Sequence, residues 1–201
     1  MKISIEKRDL KFVLHAAQKT PKADAYRYLV GVLIQGHHIV ATDGHRMAVA
    51  RNNEKWTGDD IIIPREVIVA ALKEGGGKQK TITLSFDTER ETYILGGIAF
   101  ASVWDTYPDW QSVIPDAVTG ENSLFYPKYL SEAAKALYDY RKLKIHQTHQ
   151  AGIGIALHKN GHGPAIVCYE GGGFPFCIVM PLRERNDEIP TWKNPVKETC
   201  Q

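Results

Sequence analysis

Cysteine is scarce in this chain: three residues, at 168, 177 and 200, an odd number with no C-x-x-C spacing. That excludes a disulfide scaffold and suits a reducing, cytoplasmic compartment. Long apolar runs are lacking too, so no membrane-spanning segment and no membrane partner is expected. The opening Met1-Lys2-Ile3-Ser4-Ile5-Glu6 reads as a strand, not a signal peptide. Nor does one sign of charge dominate. A net charge of +2 gives no bulk affinity for polyanions, so any such contact needs the basic residues sorted onto one face.

Catalytic and metal motifs are equally thin. Gly75-Gly76-Gly77-Lys78 has the glycines of a phosphate-cradling loop, but the lysine is followed by Gln79-Lys80 and a strand-like run, so a helix C-cap and turn is the better account. Gly171-Gly172-Gly173 reads as a hairpin turn. His146/His149 and His158/His162 form pairs with no carboxylate or cysteine to complete a metal site, and no nucleophilic triad can be argued. No metal site and no cofactor is expected from these strings, and an enzyme using the His-rich or Gly-rich loops is the minor reading.

What the chain does have is repetition. Over 201 residues, with 43% hydrophobic content, one unit recurs at a spacing of roughly 60 residues. It opens at Ile3-Ser4-Ile5-Glu6, at Ile61-Ile62-Ile63-Pro64 and at Ser123-Leu124-Phe125-Tyr126-Pro127. Each opening leads to a helix-period segment (Leu10, Val13, Leu14, Ala17; Val67, Ala70, Ala71; Leu130, Ala133, Ala134, Leu137) and then to alternating strand-like runs. A polar connector covers Arg51 to Asp60, and Asp116 to Asn122 marks a stronger boundary after Pro115. The organisation expected is two units of about 1–57 and 58–116, together spanning 1–116, a third unit over 122–183, and a polar tail over 184–201. Opposite the apolar face of the first helix, Lys7, Lys11, His15 and Gln18 form one stripe; Lys128 and Lys135 lie two turns apart on the third helix. Solvated helix faces account for such stripes. So does a shared basic surface facing a polyanion.

Three strings close the three units: Ala41-Thr42-Asp43-Gly44-His45-Arg46-Met47-Ala48, then Tyr107-Pro108-Asp109-Trp110 with Val113-Ile114-Pro115, then Phe176-Cys177-Ile178-Val179-Met180-Pro181-Leu182-Arg183. In this order they resemble the bacterial DNA polymerase III β subunit, the sliding clamp, as do Tyr28-Leu29-Val30-Gly31-Val32, read as the strand leading toward the first string, and Ile62-Ile63-Pro64-Arg65. The resemblance covers the family's middle domain and the second half of its C-terminal domain. It implies an α+β DNA-clamp fold built from three β-α-β-β-β half-domains, where a normal protomer has six.

The resemblance further implies a processivity factor, not an enzyme, that encircles duplex DNA and tethers a DNA polymerase. Polymerase and other clamp-binding proteins would dock short linear motifs in a groove lined by Leu29, Thr42, Gly44, His45, Arg46, Met47, Pro108, Val113, Ile178, Val179, Met180, Pro181 and Leu182. Double-stranded DNA would face Lys7, Lys11, Lys128 and Lys135, joined by Arg27 and Tyr28 at the first hairpin. The unpaired half domain implies a homo-oligomer, a tetramer in preference to a dimer, since four chains of three half-domains make the family's twelve. The alternative is a clamp-fold interaction module that binds replication or repair proteins without encircling DNA.

Overall fold

The computed structural model describes residues 1–20, 24–74, 79–103, 106–141 and 154–182. The first unit runs β1 (Lys2–Glu6), α1 (Lys7–Val13), a 3-10 segment (Asp24–Val30), β2 (Gly31–Gln35), β3 (His38–Thr42) and β4 (Arg46–Arg51). The second runs β5 (Ile61–Pro64), α2 (Arg65–Glu74), β6 (Thr81–Asp87), β7 (Thr92–Leu95) and β8 (Ile98–Phe100). The third has α3 (Pro127–Arg141), β9 (Ile155–His158), β10 (Ala165–Tyr169) and β11 (Phe176–Val179). The expected α+β architecture of three repeated units is what the chain adopts.

The first two units interlock by exchanging their opening strands. β1 lies antiparallel on β6, in a four-stranded sheet of order β1-β6-β7-β8. β5 lies antiparallel on β2, at one end of a seven-stranded sheet of order β5-β2-β3-β4-β11-β10-β9. Gly31 is required at that crossing: a Cβ there would come within 2.3 Å of Ile62 Cγ2. The seam between first and third units is the antiparallel β4–β11 pair, Ile178 opposite Met47 and Cys177 opposite Ala48.

The sequence of β3, with Ile39, Val40 and Ala41 all buried, does not alternate because both faces of the large sheet are covered. On one face α1 packs on β3 and β4, α3 packs on β10 and β11, and the two helices touch. Ile5, Leu10, Ile34, Ile39, Ile63, Ile68, Leu84 and Leu137 belong to the core on this side. On the other face the segment after β8 is drawn across the sheet and anchored by Trp110, whose Nε1 donates to Gln35 Oε1 at 2.9 Å. Leu33, Val40, Met47, Val49, Ile62, Trp110 and Ile178 make a second cluster there.

Side-chain links reinforce the layout. Arg65 donates to the Leu14 and Ala17 carbonyls at 2.5 and 3.2 Å, satisfying acceptors just beyond α1. The Tyr140 hydroxyl of α3 donates to Asp9 of α1 at 2.7 Å, and burial raises the carboxyl of Asp9 above its ordinary range.

Three sequence expectations need correction. Tyr28 to Val30 is 3-10 helix, with strand beginning only at Gly31. Ser123 to Tyr126 joins no sheet; Leu182 N–H donates to the Leu124 carbonyl at 2.7 Å, and the Ser123 hydroxyl to the Gly161 carbonyl. Its sister strands pair with a sheet from another unit, and no fourth unit lies between β8 and α3 to supply one. The basic stripe also stops early: α1 ends at Val13, so His15 and Gln18 lie past the helix. Gly171, Gly172 and Gly173 do form the β10–β11 turn, all at positive φ. The triglycine at 75–77, His146, His149, Arg183 and the 184–201 tail lie outside the described residues.

Candidate partner groove and helix face

The β3–β4 turn is built by one carboxylate. Asp43 Oδ1 accepts from the His45 and Arg46 amides at 2.9 and 3.0 Å, while its Oδ2 takes Arg46 Nε at 3.0 Å. The Thr42 hydroxyl donates to the Arg46 carbonyl and accepts from Gly44 N–H, with Gly44 at φ +87°. This rigid turn abuts the end of β11, where Met180 N–H donates to the His45 carbonyl at 2.9 Å.

Around that junction the sequence-predicted groove residues divide by face. Met47 and Ile178 pair across the seam and are buried in the outer cluster, against which Tyr28, Tyr107 and Val113 pack. Leu29, Thr42 and Pro181 are half-buried, and Gly44, His45 and Pro108 are exposed. Met180 and Leu182 are large apolar side chains left 37% and 48% exposed, enough to offer anchors to a partner. Val179 and Arg46 point the other way. Val179 is fully buried in the helix-side core. Arg46 pairs with Asp43 and with Glu132 of α3, and its guanidinium lies 5.0 Å from the Tyr129 ring centroid. It fastens the third unit to the first, because one-residue alternation along β4 turns it to the face opposite Met47.

Residues not singled out from the sequence complete the site. Tyr129 stacks on His45 with centroids 5.9 Å apart, and Tyr126 meets Tyr129 edge-on at 5.2 Å. Leu124 and Tyr126 are 57% and 48% exposed, and a backbone hydrogen bond ties Leu124 to Leu182. The Tyr-x-x-Tyr spacing at a helix start was the signal available. In the outer cluster the Tyr107 hydroxyl is buried with no partner among the described residues. Farther along the outer face, a cavity of about 370 Å³ lies between Ile114–Val118 and Ile166, Cys168 and Phe176; no expected groove residue lines it.

On the helix face, Lys11, Lys128 and Lys135 are exposed and Lys7 is half-buried. Lys128 approaches Glu132 at 3.9 Å and Lys135 approaches Asp139 at 2.5 Å, so acidic neighbours temper both cations. α1 and α3 share one side of the large sheet, which puts these lysines on elements of one layer. Arg27 is exposed, whereas Tyr28 stacks edge-on with Tyr107 at 5.5 Å in the opposite-face cluster, apart from the lysine helices. His15 is no part of a cationic surface. It lies 3.7 Å from Cys177 Sγ, and burial pushes its imidazole down to about 4.

No protein-family model matches the sequence, and no curated protein matches it. Solved structures do. The DNA polymerase III β subunit of Thermotoga maritima matches with TM-score 0.66 and 15% identity over 92% of this chain and 66% of that one. That of Borrelia burgdorferi, in complex with a natural product, gives 0.65 and 13% over 92% and 65%. The Bacillus subtilis DNA polymerase sliding clamp gives 0.63 and 16% over 92% and 65%. The chain therefore has the sliding-clamp fold, and it spans about two thirds of the length of the clamps it matches.

Proposed function

We propose that this chain is a sliding-clamp-like processivity factor, a non-catalytic protein that encircles duplex DNA as a homo-oligomer and tethers a polymerase through the cleft at the β4–β11 seam. The observation that carries the reading is a division of labour across one sheet. Helices bearing Lys7, Lys11, Lys128 and Lys135 cover one face, and a partly exposed apolar strip ending in Met180 and Leu182 lies at the seam. A clamp must slide, so its phosphate contacts have to be weak and indifferent to sequence. Lysines tempered by Glu132 and Asp139, on a chain of net charge +2, fit that demand. Met and aliphatic side chains beside aromatic rings accept varied apolar anchors, as a surface serving several partners requires.

The occupant of the cleft is a short peptide with a glutamine and two or three apolar anchors, from a polymerase or another replication protein. A fluorescently labelled peptide of that kind, titrated with the intact chain, should bind with a Kd on the order of micromolar. No saturable binding would remove the tethering role. Three units arranged as here suit a ring of four chains with twelve units. A module that binds replication proteins without encircling DNA is favoured instead if the open edge of the third unit stays unpaired in solution.

A further inference from the structure

The first two units obey one pairing rule. The strand preceding each helix lies along the strand following the other unit's helix: β1 on β6, and β5 on β2. Each exchanged strand is braced on its far side by residues just past its own unit's last strand. Asn52 Nδ2 donates to the Ser4 carbonyl at 3.0 Å, and Val103 N–H to the Ile62 carbonyl at 3.0 Å.

The third unit has both halves of this device and no counterpart to complete it. The segment preceding α3 is braced in the same manner, by Leu182 N–H on the Leu124 carbonyl. The strand following α3, β9, is the end strand of the seven-stranded sheet, paired only with β10 among the described residues. Glu170 N–H donates to the Gly154 carbonyl at 3.0 Å, so alternation along an antiparallel ladder turns the amides and carbonyls of Ile155 and Leu157 outward. Leu157 lies opposite Val167 and so shares its core side, yet it is 39% exposed. On the strands that do receive a partner, Val32 and Ile82, facing the incoming Ile63 and Ile5, are 0% and 4% exposed.

We propose that two copies of this chain exchange strands at their third units, the 123–126 segment of each lying antiparallel along β9 of the other. Phe125, half-buried now, enters the shared core beside Ile155 and Leu157, as Ile5 does beside Ile82 and Ile63 beside Val32. The contact is isologous and closes on itself, which caps both edges and leaves no open array. This deepens the homo-oligomer of the proposed function but rests on the pairing rule alone. A chain that dimerises through β9 and binds neither DNA nor peptide would sink the clamp reading and leave this one standing.

Light scattering and sedimentation of the full chain across the micromolar range test it, together with backbone amide exchange at Ile155 and Leu157. The wild-type chain should be dimeric or larger, with both amides protected at high concentration and exposed on dilution. Leu157→Lys, at a partly exposed position, should raise the dissociation constant at least about tenfold without changing the circular dichroism. A monomer throughout the range overturns the proposal. So does an oligomer in which both amides exchange freely, or one whose affinity the folded Leu157→Lys variant leaves unchanged. Should that variant fail to fold, the concentration dependence of wild-type exchange decides alone.

Discussion

Arg46 leaves the apolar seam for the helix side of the sheet, where it pairs with Asp43 and Glu132. The Thr42–Met47 string is visible in the sequence, and a turn organised by Asp43 follows from Asx chemistry. Which way Arg46 points depends on β4 register, fixed only when β11 pairs against it. His15 makes the same point more sharply. Spacing alone extends the lysine stripe to it, whereas the helix ends at Val13 and the ring enters the core beside Cys177. That burial has a sign. The unfolded chain accepts a proton near the ordinary histidine value of about 6.5. The fold refuses it until about 4. Stability is therefore complete above pH 6.5, falls as pH drops through this window and levels off near 4, with a loss of at most about 3 kcal/mol. His38, lowered mainly by burial, adds a contribution of the same sign. Urea midpoints across that pH range should show the fall, and His15→Gln should remove most of it. A wild-type midpoint flat from pH 7 to 4 would place His15 in water.

The strands that alternate or run continuously apolar, β1, β5 and β6, were legible, as were α2 and α3 from their 3.6-residue period. Less legible were the 3-10 turn before Gly31 and the unpaired 123–126 segment, because their state depends on partners remote in sequence. At this scale the groove and the lysine helices each yield a test. Met180→Ala with Leu182→Ala removes two partly exposed anchors at the end of β11 and should weaken peptide binding by ~2 kcal/mol or more, with stability little changed. Unaltered affinity in the folded double variant would move the docking site elsewhere. Lys7→Glu with Lys11→Glu should weaken association with duplex DNA equally for all sequences and flatten its salt dependence. DNA binding indifferent to both reversals would remove α1 from the DNA-facing surface.

For the whole molecule, the repeat count was readable because three apolar openings recur at regular spacing, each ahead of a helix-period segment. How the units join was not, since exchange of β1 and β5 and pairing of β4 with β11 link residues far apart in sequence, Arg46 and Val179 among them. The outcome is a seven-stranded sheet running from β5 in one unit, through the seam, to the open β9 of another. Opposite ends of that sheet differ in one respect: β5 is an exchanged strand, and β9 pairs only with β10 among the described residues. A ring follows only if that edge closes on another chain and DNA then threads the assembly. The decisive measurement is retention on DNA of different topology. The protein, bound to nicked circular DNA, is gel-filtered at a salt concentration that abolishes simple phosphate contacts. It should stay with the circle and be lost once a single cut linearises the DNA. Equal release from circular and linear DNA would contradict encirclement, leaving a clamp-fold interaction module.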